Sequence, residues 1–282
     1  MNYQQQVIDR SNSAFWDELC GSSLARALGI IDVSKESLNR FDQTYFDYYP
    51  YLNRYVLEEK LEGKRILEIG LGYGTLGGLI ASQNCSYFGL DIAAGPVKMM
   101  QYRLGLLKSK HFGSGGQGSA LALPFAENYF DYVYTIGCLH HTGNLSLAVQ
   151  EVHRVLKPGG KAIVMLYNQR SFRQIVQVRW IRLRERLIFG KPQEDIETRV
   201  RALYDTVSTG EAAPYTEYVT KAQIRDLFRA FARVSIDVQD FDEYALAGGL
   251  IRIPRKWFLN NLARILGLDL YIRAAKKGWN LS

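Results

Sequence analysis

The sequence predicts a doubly wound α/β domain with a mostly parallel sheet, and three observations carry that prediction. Short apolar runs that read as strands recur at Arg65–Ile69, Ser86–Leu90, Phe130–Ile136 and Lys161–Tyr167. Longer stretches of helical texture separate them: after Gly74 as far as Ser82, after Pro96, and from Leu145 to Leu156. The first strand also runs straight into the turn Gly70-Leu71-Gly72-Tyr73-Gly74. Strands alternating with helices at this spacing are the mark of parallel βαβ units.

In chain order, residues 1–60 read as a helical, aromatic-rich cap. Phe15, Trp16, Leu19, Leu24 and Leu28 recur at helical spacing, and a tyrosine-rich run from Phe41 to Tyr51 leads on through Tyr55 and Leu57. Core packing is the first reading of those rings and the wall of a substrate pocket the second. A phenol buries a large apolar face, and its hydroxyl needs only one partner.

A core follows over 61–169. Asp91 ends its second strand, and Pro96 suits the start of a helix over Val97–Leu107. His111–Gly118 is a glycine-rich loop in which any strand is short, and His111 reads as solvated. Residues 170–219 form a basic amphipathic insert that opens with a helix over 170–189, where Phe172, Ile175, Val176, Leu183 and Leu187 share one side. Residues 220–282 return to the sheet. Thr220 caps a helix through Ile224, Leu227 and Phe228, Val234–Val238 is a strand, 241–265 a second helical insert, and Leu268–Ile272 a closing strand.

The 282 residues are 47% hydrophobic and 22% charged, which excludes a disordered or fibrous chain. Cys20, Cys85 and Cys138 lie too far apart for a disulfide framework or a metal knuckle, and no tight carboxylate cluster is present; no metal is predicted. The polar first ten residues and the lack of an apolar run near the roughly 18 needed for a span predict a soluble, cytoplasmic chain. Net charge is +7, unevenly placed: Arg170–Lys191 and Arg252–Lys277 each carry +6, leaving −5 elsewhere. Such segments suit an anionic substrate, an acidic carrier, a lipid surface or nucleic acid, or simply a solvated helix face.

Glycines after a strand let the backbone come close to a ligand, and the next helix presents unpaired N–H groups to it. Asp91 stands 21 residues after Gly70, where a carboxylate can accept both ribose hydroxyls. Together they indicate an adenosine-containing cofactor. Gly72-Tyr73-Gly74-Thr75-Leu76-Gly77 also satisfies the dinucleotide pattern. Against a dehydrogenase stand Glu68 two residues before Gly70 and the single nucleotide-binding half.

Four ordered motifs then converge: Leu67-Glu68-Ile69-Gly70-Leu71-Gly72-Tyr73-Gly74; Gly89-Leu90-Asp91; Leu123-Pro124-Phe125 with Phe130-Asp131; and Glu151 through Gly160. Over about 62–168 the chain resembles the class I S-adenosylmethionine-dependent methyltransferases, in particular those similar to the ubiquinone and menaquinone biosynthesis enzymes. The resemblance implies a Rossmann-like, seven-stranded sheet and S-adenosyl-L-methionine as cofactor. It implies Gly70, Leu71, Gly72 and Gly74 around the methionine moiety, Glu68 organising the loop, Asp91 on the ribose and Ile92 on the adenine. The family usually has an acid just before Leu-Pro-Phe, facing the adenine amino group; here stand Gly118, Ser119 and Ala120, so only the Ser119 hydroxyl is on offer.

Methyl transfer from a sulfonium mainly requires the protein to align the acceptor and remove a proton. His141, and after it His140, follow the fourth strand at the edge where such sheets bind ligands, and are the candidate bases. Asn168 is a further pocket or loop-cap residue, and Cys138 reads as packing. The expected acceptor is a small, bulky, hydrophobic molecule, methylated on oxygen rather than nitrogen and possessing an anionic, lipid-like or carrier-bound character where the basic inserts meet it. Peripheral membrane contact is compatible through Phe172, Trp180, Ile188 and Phe189. Two alternatives stay open: a nucleic-acid methyltransferase using the basic inserts, disfavoured by the lack of a base-flipping motif, and a non-catalytic cofactor-binding protein.

Overall fold

Alternation along two central strands sets up the architecture. In the computed structural model, which describes residues 3–18, 22–107, 113–190, 196–246 and 251–278, strand β1 is Arg65–Ile69 and strand β4 is Phe130–Ile136. Successive side chains of a strand point to opposite faces. Leu67, Ile69 and Val133 therefore enter one core, while Ile66, Tyr132 and Tyr134 enter the other. A sheet apolar on both faces must be covered on both, as parallel sheets are.

The remaining strands are β2 (Ser86–Asp91), β3 (Gly113–Gln117), β5 (Leu156–Tyr167), β6 (Arg233–Gln239) and β9 (Asp269–Ala275). They form one seven-stranded sheet in the order β3-β2-β1-β4-β5-β9-β6. All neighbouring pairs run parallel except β9, which is antiparallel to both β5 and β6. Helices α7 (Leu145–Val155) and α10 (Lys221–Leu227) cover one face through Val149, Val152, Ile224 and the following Phe228. Helices α4 (Arg54–Leu57), α5 (Thr75–Ala81) and α6 (Ala94–Leu106) cover the other through Tyr55, Val56, Ile80 and Met100.

Three further helices form the cap: α1 (Tyr3–Trp16), α2 (Ser22–Ala27) and α3 (Lys35–Tyr48). The cap is fastened by Arg103 of α6, whose guanidinium meets both oxygens of Asp42 on α3 at 2.8 and 2.9 Å and the carbonyl of Tyr73 at 2.7 Å. Asp42 also accepts the Thr75 hydroxyl at the start of α5. Leu19, Cys20 and His111 lie outside the described residues.

Two inserts differ from expectation. Over 170–189 the chain is a π-helical stretch, Arg173–Val178, continued by α8 (Arg179–Phe189). Its apolar side is not core: Val178 is buried with Ile196 and Val200 of α9 (Ile196–Ala202), whereas Trp180, Leu183, Leu187, Ile188 and Phe189 are exposed. The expected helix over 241–265 is instead a hairpin, β7 (Tyr244–Leu246) with β8 (Ile251–Ile253), a 3-10 turn Arg255–Trp257 and one turn of α11 (Ala263–Leu266). Pro254 explains the break, because it lacks an N–H and holds the residue before it in extended backbone. The remaining expected strands and the helices after Gly74, Pro96, Asn144 and Thr220 appear close to their expected bounds, with the earlier start of β5 and the glycine-rich segment before Gly118 as the exceptions. Thr220 and Gln223 close a reciprocal cap at the start of α10. The glycine-rich 113–117 is a full five-residue edge strand beside β2.

Candidate active site

A cavity of about 430 Å3 opens at the carboxyl edge of β1, β2, β4 and β5. This is the switch point where β1 has neighbours on both sides and the crossovers diverge, the usual ligand crevice of open α/β sheets.

One half is built by the glycine loop. Gly70 has φ +83°, and a Cβ there would stand 2.5 Å from that of Cys138, so only glycine lets the loop pass. Gly77 contributes through close packing, since its missing side chain seats α5 directly over the Glu68 carboxyl and the Tyr87 hydroxyl. Those two groups hydrogen-bond to each other, and burial pushes Glu68 up to about 8. Glu68 is thus a mostly neutral acid, packed under Gly77 and held by Tyr87. Asp91 accepts the N–H groups of Leu71 at 2.8 Å and Ala93 at 2.9 Å, and burial raises its carboxyl despite those bonds. Ile92, Ser119 and Ala120 line the same half.

The cap completes that half with residues not anticipated from the sequence. Helix α1 lies across it: Ser13 bonds to the Ile92 carbonyl, and Asn12 to the His141 carbonyl at 2.7 Å. The Asn12 Oδ1 is buried without a partner, an acceptor left for a ligand. Asp9 places one carboxylate oxygen 3.4 Å from Ser119 Oγ and the other on Gln5. Asp9 thus brings a carboxylate from α1 to the Ser119 side of the cavity.

The other half is walled by tyrosines, among them Tyr45, Tyr48 and Tyr49 from the cap, Tyr204 from the insert and Tyr271 from β9. The tyrosine-rich run thus serves both uses: Phe41, Tyr51 and Tyr55 are core, and its neighbours face the cavity. His141 stands between the halves, 3% exposed. Its Nδ1 lies 2.7 Å from the Tyr215 carbonyl, which can only accept, so that nitrogen carries the proton. Its Nε2 has no hydrogen-bond partner and is 3.6 Å from Asp205 Oδ2. Trp16 packs against the ring at 4.8 Å. Burial lowers the His141 pKa against the pull of Asp205.

His140 is placed differently. The two histidines share a 3-10 turn, in which consecutive side chains point about 120° apart. His140 is fully buried behind the cavity against Tyr167, at 4.1 Å between rings, and does not line it. Asn168 does not line it either: its amide bonds to the Gly267 carbonyl and the Arg170 N–H, a loop cap. Cys138 lines the cavity as a thiol, pushed up to about 12 by burial. Among the described residues no three His, Cys, Asp or Glu side chains are placed so that they could hold a metal ion.

The glycine cradle, the buried Asp91 and the orphaned Asn12 oxygen fit an adenosyl cofactor: a close-approach loop, a carboxylate for vicinal hydroxyls and acceptors for an amino group. Comparison with known proteins agrees. A family described as a methyltransferase domain matches residues 67–164. The 2-phytyl-1,4-naphthoquinone methyltransferase of Synechocystis is 34% identical over 113 residues, 38% of this chain and 46% of that protein. The fatty-acid O-methyltransferase of Mycolicibacterium smegmatis is 31% identical over 119 residues, 39% and 42% of the two chains. The chain thus spans less than half the length of these curated relatives. Among solved structures, the methyltransferase in complex with the Haloferax volcanii Trm112 methyltransferase activator superposes with a TM-score of 0.56 at 16% identity, covering 86% of this chain and 95% of that one. A SAM-dependent methyltransferase of Methanosarcina mazei gives 0.52 at 20% identity over 82% and 98%. At these identities the two structures share the fold.

Proposed function

We propose that this chain, whose residues 67–164 match a family described as a methyltransferase domain, is a class I S-adenosylmethionine-dependent methyltransferase that methylates a hydroxyl of a small, ring-bearing acceptor. One observation carries the reading: a single cavity holds the glycine loop and Asp91 at one end and His141 with a tyrosine wall at the other. The naphthoquinone and fatty-acid relatives support a small acceptor with a large apolar body. The rings of the tyrosine wall offer that body a matching surface.

S-adenosylmethionine, when bound, supplies a methyl group already activated on a cationic sulfur. Gly70, Leu71 and Gly72 hold its methionine part and Glu68 keeps their loop in shape, while Gly74, which does not line the cavity, turns the chain into α5 against Arg103 and Met100. Asp91 accepts the ribose hydroxyls, Ile92 packs on the adenine, and Ser119 and Ala120 border its edge. Asp9 supplies the charged acceptor that Ser119 lacks. The acceptor hydroxyl gives its proton to His141 Nε2, the one ring nitrogen without a proton, and Asp205 stabilises the imidazolium that forms. His140 supports the turn from behind. The enclosing cap keeps water from the sulfonium.

Methyl transfer from labelled S-adenosylmethionine to a panel of phenols and hydroxylated lipids tests this. His141→Ala should slow turnover by roughly 10²–10⁴-fold while leaving S-adenosylhomocysteine affinity in place. Equal turnover by the variant across pH 6–9 would remove His141 as the base.

A second reading concerns placement. Helix α8 exposes Trp180, Leu183, Leu187, Ile188 and Phe189 beside arginines, the pattern of a helix lying in a lipid interface. No helix among the described residues is long and apolar enough to cross a membrane. The nucleic-acid alternative gains little support. Arg173, Arg182, Arg255 and Arg273 of the two basic segments are engaged by Asp242, Glu197, Asp240 and Glu58.

A further inference from the structure

The acceptor half of the cavity carries more acid than its cations can answer. Asp205, Asp240, Asp242 and Asp269 line it, with Arg173 as the lining cation. Arg173 is committed to Asp242 through a two-pronged pair at 3.1 and 2.5 Å. Arg255, from outside the cavity, is committed to Asp240, donating from Nε and Nη2 to the single oxygen Oδ1. Asp205 receives the Tyr167 hydroxyl and faces His141. Asp269 is left over. It is 2% exposed, lines the cavity, and its carboxyl makes no side-chain hydrogen bond or ion pair among the described residues.

Burial and the neighbouring Asp240 raise the Asp269 carboxyl well above its ordinary value, and an acid kept without a side-chain partner at a cavity wall is one that a cationic ligand would complete by restoring its charge. Tyrosine faces beside it attract the same kind of ligand, since a ring presents its negative face to a cation. We propose that the acceptor carries a protonated amine, held as an ammonium by Asp269, with its ring among the tyrosines and its hydroxyl at His141. This deepens the methyltransferase reading and rests on it. It also sets aside an anionic acceptor, which has no uncommitted cation among the described residues to meet at Asp269. Because the ammonium has no lone pair, the methyl goes to the oxygen at the opposite end. Asp269 is a specificity residue here, and the proton transfer stays with His141.

The test uses three isosteres of one shape: tyramine (cationic), 4-propylphenol (neutral) and 3-(4-hydroxyphenyl)propionate (anionic). Each is titrated into the whole protein saturated with S-adenosylhomocysteine. Tyramine should bind at least about tenfold more tightly than 4-propylphenol, and the propionate most weakly. Asp269→Asn should erase the tyramine advantage, leave 4-propylphenol unchanged and leave S-adenosylhomocysteine affinity unchanged. The same variant should melt at a higher temperature at pH 7, because it removes an uncompensated buried acid. A set in which tyramine does not outbind 4-propylphenol, by equal binding or by none, overturns the proposal, as does an advantage that survives in Asp269→Asn. Failure of S-adenosylhomocysteine to bind at the start would instead strike the methyltransferase reading.

Discussion

Both oxygens of Asp91 accept backbone N–H groups, from the loop on one side and the chain after β2 on the other. The residue therefore shapes the site as well as facing the ligand. Asp91→Asn keeps the volume but turns one acceptor into a donor, and hydrogen bonds to charged groups contribute about 1.5–3 kcal/mol. A loss of roughly 10–100-fold in S-adenosylhomocysteine affinity is expected by calorimetry; unchanged affinity would take Asp91 off the ribose. Glu68 gives a prediction of opposite character. Its ordinary value is 4.5 and burial raises it to about 8, so between those pH values the folded chain keeps a proton that the unfolded chain gives up. Wild-type stability from this group is thus lost as pH rises from 4.5 to 8. The melting temperature of Glu68→Gln should gain on the wild type over that interval and run level above it; a constant difference would contradict the buried neutral acid. Glu68, the glycines and Asp91 were legible in the sequence because a strand, a turn and the next strand's end carry them at fixed spacing. Asp9, Asn12, Asp205 and Asp269 were not, because only tertiary packing brings those distant segments to one cavity.

Among the elements, the cap and α8 make the strongest demands. The cap reaches the glycine loop through Asp42, Thr75 and the buried guanidinium of Arg103. Breaking such a pair leaves a buried charge unanswered. Asp42→Ala should therefore cost about 3 kcal/mol in urea unfolding, the low end of the range because Asp42 is partly open to solvent. A loss under about 0.5 kcal/mol, typical of surface substitutions, would show that the cap is held some other way. Helix α8 should bind vesicles with anionic lipid in a sedimentation assay, and Trp180→Ala with Leu187→Ala should abolish that binding. Equal sedimentation of the double variant would take the lipid surface away from α8. The amphipathic pattern of 170–189 was readable, but the pattern does not say whether an apolar side meets a core or is left exposed. The 241–265 segment, which reads as helix, shows the converse. Its residues have helical composition, while Pro254 and the pairing of β7 with β8 decide the backbone.

At the scale of the whole molecule, the parallel half of the sheet followed from the strand–helix alternation. The insertion of β9 between β5 and β6 did not, since a single strand carries no mark of its neighbours. That insertion brings Asp269 level with Tyr167 and Gln239 across three strands and so places its acid on the cavity wall. On the proposed function, a cofactor at β1 and β2 and an acceptor at β5 and β9 would share this one cavity. The measurement that tests it most directly is titration calorimetry of the whole protein with S-adenosylmethionine, S-adenosylhomocysteine and NADH. The account predicts binding of both adenosyl ligands, lost in Asp91→Asn, and no binding of NADH. Binding of NADH, or of neither adenosyl ligand, would contradict it.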